Sequence, residues 1–374
     1  MDYRPALRER TGVGEYVHEL ASALARRLGP EDSLALFSSS WRDRLAHDAV
    51  PGADTIDRRI PVRVLNFAWH RFEWPPIERL AGTVDVAHSI HPLLMPSRAA
   101  GQLVTIHDLD FLDHPERTRG EIRRDYAGLA PSHARRADGV IAVSRFTARQ
   151  IVDRLEVPSE RITVCSPGAP RWTPRTEHRS AGPILFVGTL EARKNVGTLL
   201  RAYGRVRAQV PSAPRLVLAG RRTPDADAWL RMAVDPPLAG QVEYLGYIRD
   251  EERRGLFESA SMFVLPSFHE GFGIPVLEAM AAGVPVVVSR RGALPEVVGD
   301  AGALVDPEDE EGLAAAMVRY LTDSQAATEA AARGVRRARE YSWDASAQTL
   351  YDAYARAIAR RRAAEARGLP QMSA

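Results

Sequence analysis

Cysteine and lysine are nearly missing from this 374-residue chain, which has one of each, Cys165 and Lys194. A lone thiol can neither close an internal disulfide nor build a thiolate metal site, so an oxidised scaffold is excluded and a reducing compartment fits. Every other member of the 50 Lys and Arg residues is arginine, and 48 Asp and Glu leave a formal charge of only +2. That balance gives no global attraction to polyanions and disfavours a nucleic-acid partner. Paired histidine spacing and compact Asp clusters are absent, so no metal is expected. No stretch reaches the ~20 apolar residues that span a bilayer, and no basic-then-apolar leader is read at the start. The expectation is a cytoplasmic protein, with peripheral contact at the inner face of the membrane as an open alternative.

What is there is an alternation of short apolar runs with longer helical patterns. LALF (34–37), VDVAH (84–88), LVTIH (103–107), VIAVS (140–144) and ITVC (162–165) lie in the first half. ILFVG (184–188), LVLAG (216–220), MFVLP (262–266) and VPVVVS (284–289) lie in the second. Runs this apolar suit strands covered on both faces, as in parallel sheets. The fold class is therefore α/β. A Pro- and Arg-rich stretch at 168–182 reads as a linker between a first domain, 1–167, and a second, 183–341. A helix over 342–362 and a frayed tail over 363–374 complete the division. At the start, MDYR looks like the end of a first strand that is cut short, which would weaken that sheet.

Four strand-to-helix junctions carry candidate chemistry, because doubly wound sheets bind ligands at strand carboxyl ends. In HEGFGIPVLEAMAAG, Glu270 lies in a Gly-containing loop and Glu278 just inside a helix that Pro275 opens and Gly283 closes. Taken singly, these are a solvated loop charge and a first-turn dipole partner. Together they suit vicinal hydroxyls, for which ionised carboxylates are acceptors. In GTLEARKN, Arg193 and Lys194 stand beside a helix start, where cations are unfavourable unless an anion joins them. A compact ammonium on a slim stem suits an enclosed phosphate better than the broad guanidinium does. TGVGEYVH places Gly12 and Gly14 in a turn before a helix, a weak phosphate signal by itself. His107 and Asp108 follow a buried strand, a position that is more often structural than functional.

EGFGIPVLEAMAAGVPVVVS resembles the E-x7-E region of the family 4 retaining glycosyltransferases, which have the GT-B fold. GTLEARKNVGTLLRAY, VIAVSRFTARQIV, GALPEVVGDAGALVDPED and YSWDASAQTLYDAY are similar to the family's other segments, in the same order. The resemblance spans nearly the whole chain. It implies two Rossmann-like domains facing each other across a cleft, with the C-terminal helix crossing back to the first domain. It also implies transfer of a sugar, with retention and without a metal, from a nucleotide diphosphate sugar to an acceptor hydroxyl. That donor is a co-substrate, and no cofactor is implied. Glu278 would hold ribose hydroxyls, and Glu270 with the N–H groups of Gly271, Phe272, Gly273 and Ile274 would hold the sugar. Arg193 and Lys194 would neutralise the diphosphate, His107 would lie near the sugar, and Gly12 and Gly14 would close over phosphate. Many members carry Arg directly after the glycine that ends the strand; here Thr189 stands there.

The GTLE-x-RKN variant is similar to bacterial mannosyltransferases of surface polysaccharides, which points to GDP-mannose and a glycan or lipid-linked glycan acceptor. LGYIRDEE (245–252) would rim the base. RVLNFAWHRFEWPP (63–76) combines Phe67, Trp69, Phe72 and Trp74 with Arg63 and Arg71. It reads either as a helix packing its aromatics into a core or as an interfacial helix. An epimerase or phosphorylase on the same architecture, or an idle sugar-nucleotide-binding subunit, are the competing functions.

Overall fold

The computed structural model describes residues 1–7, 12–115 and 120–367. The chain forms two compact units: Met1–Gly168 joined by the chain from Ser342 onward, and Ala169–Tyr341.

In the first unit the helices are α1 (Gly12–Arg27), α2 (Val62–Phe72), α3 (Ile77–Ala81), α4 (Asp110–Asp113), α5 (Gly120–Arg136) and α6 (Arg145–Leu155). The strands are β1 (Ala35–Ser39), β2 (Asp54–Arg58), β3 (Val86–Ser89), β4 (Gly101–Ile106), β5 (Gly139–Ala142) and β6 (Ile162–Val164). Among the described residues they form a parallel β1-β2 pair and a parallel sheet in the order β3-β4-β5-β6. Met1–Tyr3 runs between the two sheets. The Phe37 N–H donates to the Met1 carbonyl at 2.8 Å, and the Tyr3 and Asp2 N–H groups donate to the Phe37 and His88 carbonyls, each at 2.9 Å. The short first strand expected from MDYR is thus a three-residue splice between β1 and β3. A cavity of about 420 Å³ adjoins it, lined by Met1, Ala35, Phe37, Val86, His88 and Tyr354 among others.

The second unit contains α7 (Val196–Gln209), α8 (Ala226–Val234), α9 (Asp250–Ser259), α10 (Ile274–Ala281), α11 (Leu294–Val298), α12 (Glu310–Thr322) and α13 (Ser324–Ala338). Its strands are β7 (Ile184–Val187), β8 (Leu216–Ala219), β9 (Val242–Gly246), β10 (Met262–Leu265), β11 (Val286–Ser289) and β12 (Ala303–Val305). They make one parallel sheet in the order β12-β11-β10-β7-β8-β9. The four central strands, β7, β8, β10 and β11, are buried along their whole length, as their unbroken apolar runs require. Strand order reverses between β7 and β10, and the carboxyl ends of such a pair border the crevice where doubly wound sheets take ligands.

The chain returns to the first unit as α14 (Trp343–Ala366), which packs on α1 and across β4, β5 and β6. Tyr354 Oη lies 2.8 Å from His88 Nδ1, and Ser346 Oγ donates to the Ser166 carbonyl at 2.6 Å. α14 covers residues 363–366 and Arg367 caps it, where the sequence suggested a tail; residues 368–374 of that tail lie outside the described residues. The stretch read as a linker, 168–182, belongs from Ala169 onward to the second unit. Arg175 pins it there by donating to the Gly283 and Ala260 carbonyls at 3.0 and 2.5 Å. These bonds leave no hydrophobic period in the sequence.

Candidate functional site

β7 delivers the chain through Gly188 to a single 3₁₀ turn, Ala192–Lys194, and Asn195 then caps α7 in the left-handed conformation. β10 delivers the loop that carries Ser267 to Gly273 into α10. Two contacts fasten the loops together. The Phe268 N–H donates to the Arg193 carbonyl at 2.8 Å, and Asn195 Nδ2 donates to the Pro266 and Pro307 carbonyls at 3.1 and 2.7 Å.

At this switch point Lys194 Nζ donates to Glu270 Oε1 at 2.6 Å, and Arg193 Nη1 reaches Oε2 at 3.3 Å. Lys194 and Glu270 are only 7% and 5% exposed, so the pair is enclosed. Ser267 Oγ adds a donor to Oε1 at 2.7 Å, and the Ala293 N–H holds the Glu270 carbonyl at 2.9 Å. Gly292 allows that approach, because at φ +63 a Cβ there would come within 2.6 Å of the same carbonyl oxygen. Burial pushes the Glu270 carboxyl up; Lys194 and Arg193, with the Lys194 and Ser267 hydrogen bonds, outweigh it and hold the group at about 2. Burial and the neighbouring Arg193 lower the Lys194 ammonium, against the pull of Glu270 and Glu191.

The two cations at this helix start do not by themselves call for an outside anion. Arg193 also contacts Glu191 at 2.8 Å, so Glu191 and Glu270 already balance Arg193 and Lys194. Nor is Lys194 an exposed loop charge.

Gly273 caps α10 in the left-handed region, and Pro275 occupies the first turn. Phe272 is buried with its ring edge-on to Tyr341 at 5.5 Å. Gly271, Phe272, Gly273 and Ile274 therefore form the approach to the start of α10. Glu278 does not lie in the first turn and is no dipole partner. It is 5% exposed and takes a two-pronged contact from Arg253 of α9, Nε to Oε1 at 2.5 Å and Nη2 to Oε2 at 2.6 Å. The predicted base rim is split, since Leu245 and Gly246 end β9 and Asp250 begins α9.

In the first unit, Gly12 and Gly14 do not form a turn. They open α1, and Thr11 lies outside the described residues. Gly14 is there for close packing: a Cβ would sit 2.7 Å from the Pro5 carbonyl oxygen. His107 follows β4 with Nε2 3.2 Å from the Ile90 carbonyl and its ring edge-on to Tyr16 at 5.2 Å. Burial takes its imidazole down to about 4, against Asp108 and that carbonyl.

Sequence reasoning missed Arg253, Ser267, Glu191, Asn195 and Gly292. Their partners lie 25 residues or more away for Arg253 and Asn195, and no local pattern marks such pairings. Asn195 alone carried a signal, because Asn tolerates left-handed backbone ahead of a helix.

Comparison with known proteins bears on both units. A family model described as "Glycosyltransferase Family 4" matches residues 10–171, and one described as "Glycosyl transferases group 1" matches residues 182–323. The O-antigen chain mannosyltransferase B of Escherichia coli is 34% identical over 276 residues, covering 70% of this chain and 71% of that protein. The serotype-specific mannosyltransferase WbdA of E. coli is 28% identical over 67% of this chain, which spans about a third, 33%, of that longer protein. Sucrose-phosphate synthase from Thermosynechococcus elongatus superposes with a TM-score of 0.78 at 22% identity, covering 96% of this chain and 98% of its own. WaaG, a glycosyltransferase involved in lipopolysaccharide biosynthesis, gives 0.70 at 16% identity, over 94% and 97%.

Proposed function

We propose a reaction from one premise: this chain belongs to the family 4 glycosyltransferases and has their GT-B fold. It is a hexosyltransferase that moves mannose from GDP-mannose to a hydroxyl of a glycan or lipid-linked glycan. The mannosyltransferases among its relatives support the sugar. The observation that carries the site assignment is the buried contact of Lys194 with Glu270 beside Arg193 at the switch point of the second sheet.

In this reading Glu278 accepts hydrogen bonds from the ribose hydroxyls. Glu270, with the N–H groups of Gly271 to Ile274, holds the donor sugar. An ammonium has three N–H donors, of which the 2.6 Å contact with Glu270 uses one. The others, with Arg193, meet the diphosphate, whose charge grows as its bond to the sugar breaks. Stabilising charge that develops only in the transition state accelerates the chemical step. The reaction is proposed to run without a metal, with hydrogen bonds from Lys194 and Arg193 to the departing diphosphate in its place.

Retention follows from front-face attack. The C1–O bond to the β-phosphate breaks, the acceptor oxygen bonds to C1 on the same face, and the acceptor proton passes to the departing phosphate oxygen. No protein nucleophile is consumed. Peripheral contact with a membrane is part of the proposal and is supported by the exposed aromatic face of α2.

Calorimetry across nucleotide diphosphate sugars, then product analysis by NMR with and without a chelator, tests the whole. GDP-mannose should bind and yield an α-linked product at the same rate in chelator. Failure of every nucleotide sugar to bind would refute the class, binding without turnover would leave an idle subunit, and a β-linked product would refute retention.

A further inference from the structure

The contact of Arg253 with Glu278 decides how a nucleotide would be read. It rests on the reading above that gives Glu278 the ribose. The guanidinium meets the carboxylate side-on, with both prongs at 2.5 to 2.6 Å and the two side chains 19% and 7% exposed. Its carbon lies 5.9 Å from the ring centroid of Phe257, four residues further along α9 and fully buried, so the fork rests on a fixed platform.

A ribose diol could reach Glu278 in two ways. It could displace Arg253, or it could share the carboxylate with it. Displacement strands a buried carboxylate with a neutral partner, and removing one member of a buried ion pair is strongly unfavourable. Sharing has no such penalty. An ionised carboxylate offers about four lone-pair sites, and the planar fork takes the two that face it, leaving the outer one on each oxygen. Those two point to opposite sides of the carboxylate, too far apart for one diol to use both, so a fixed carboxylate plane presents one fixed acceptor to one ribose hydroxyl.

We propose that Arg253 is a positioning residue that stays on Glu278 while the donor is bound and aims one outer lone pair of the carboxylate at one of the two ribose hydroxyls, 2′ or 3′, of the nucleotide. Discrimination of ribose from deoxyribose then depends on Arg253, a residue that itself never touches the sugar. Lysine would not substitute for it, because a point charge with rotatable donors does not fix the carboxylate plane.

The test measures binding of GDP, 2′-deoxyGDP and 3′-deoxyGDP to wild type, Arg253→Met and Glu278→Gln, with melting temperatures as a control. Wild type should prefer GDP over one of the two deoxy analogues by about tenfold or more, within the range of a lost hydrogen bond to a charged group. Arg253→Met should bind GDP about 10- to 100-fold more weakly and lose most of that preference. In turnover its KM for donor should rise by more than its kcat falls. Retained preference, or tighter GDP binding because a competitor has been removed, overturns the proposal. A normal Glu278→Gln variant refutes the ribose assignment itself and the proposal with it. Weak Glu278→Gln beside a normal Arg253→Met refutes only the role of Arg253. Should Arg253→Met lose its fold, Arg253→Lys carries the same measurement: lost preference with an intact melting point supports the proposal, and wild-type preference overturns it.

Discussion

At the scale of single residues the sharpest question is why one cation in this chain is lysine. The Lys194 side chain runs beside Gly188, where even an added Cβ would lie 3.6 Å from its Cε, and it ends on Glu270 within a site that is nearly closed. A guanidinium is wider than an ammonium and has its donors in a rigid plane. Lys194→Arg should therefore fold, keep its charge, and lose about 100-fold or more in kcat, the usual scale for removing a donor aimed at transition-state charge. Lys194→Ala should fall at least as far. Steady-state rates with a thermal melt check this, and a Lys194→Arg enzyme within threefold of wild type would dismiss the shape argument. The sequence singled out Arg193 and Lys194 because cations stood at a helix start, and Glu270 and Glu278 because two carboxylates flanked one Gly-containing junction. It could not show that Lys194 and Glu270 are partners, since 76 residues separate them.

At the scale of elements, α2 shows both what a helical period gives and what it withholds. The sequence grouped Phe67, Trp69, Phe72 and Trp74 and left core or interface undecided. The structure divides them. Leu65 and Trp69 are buried, and Trp69 Nε1 donates to the Pro75 carbonyl at 2.9 Å. Val64, Phe67, Phe72 and Trp74 are more than half exposed. Arg63 and Arg71 fall on the same exposed side of the helix as Phe67 at helical spacing. An apolar face fringed by arginines suits an anionic lipid surface. The expected outcome is flotation of the wild type with phosphatidylglycerol vesicles and not with phosphatidylcholine vesicles. Phe67→Ser combined with Phe72→Ser should abolish flotation without altering the melt, whereas Trp69→Ala should lower the melt. Unchanged flotation of the double variant would remove the lipid assignment. The strands that the sequence missed, β2, β9 and β12, share one cause: all three border their sheets and are partly exposed, and β12 is only three residues long. Sheet edges lack the unbroken apolar run that betrays a covered strand.

At the scale of the whole molecule the first unit holds the deeply buried histidines, and acid should separate the two units. The first unit buries neutral imidazoles. Burial, helped by the nearby N-terminal ammonium, takes His88 down to about 3, and burial with help from Arg136 takes His133 down to about 4; His107 is displaced in the same direction. A histidine whose folded pKa lies below its unfolded value of ~6.5 is one the fold keeps uncharged. Its contribution to stability is complete above pH ~6.5 and is lost as pH falls toward the folded value. At pH 5, about 1.5 units below the unfolded value, His88 and His133 each cost about 2 kcal/mol, and His107 adds to the loss. The second unit's main buried acid behaves otherwise. Glu270, at about 2, contributes stability that is complete above its ordinary carboxyl range and is lost only as pH approaches 2, so pH 5 leaves it intact. A loss of ~4 kcal/mol or more is a large share of the ~5–15 kcal/mol that holds a domain together. Scanning calorimetry at pH 7.5 and pH 5.0 should show one transition falling by about 8–16 °C, at the ~2–4 °C per kcal/mol of a unit this size, while the other moves little. Hydrogen exchange at pH 5 should assign the falling transition to the β4 and β5 amides and the steady one to β7 and β10. Two transitions that fall together, or β10 opening before β4, would show that the buried histidines do not govern acid stability.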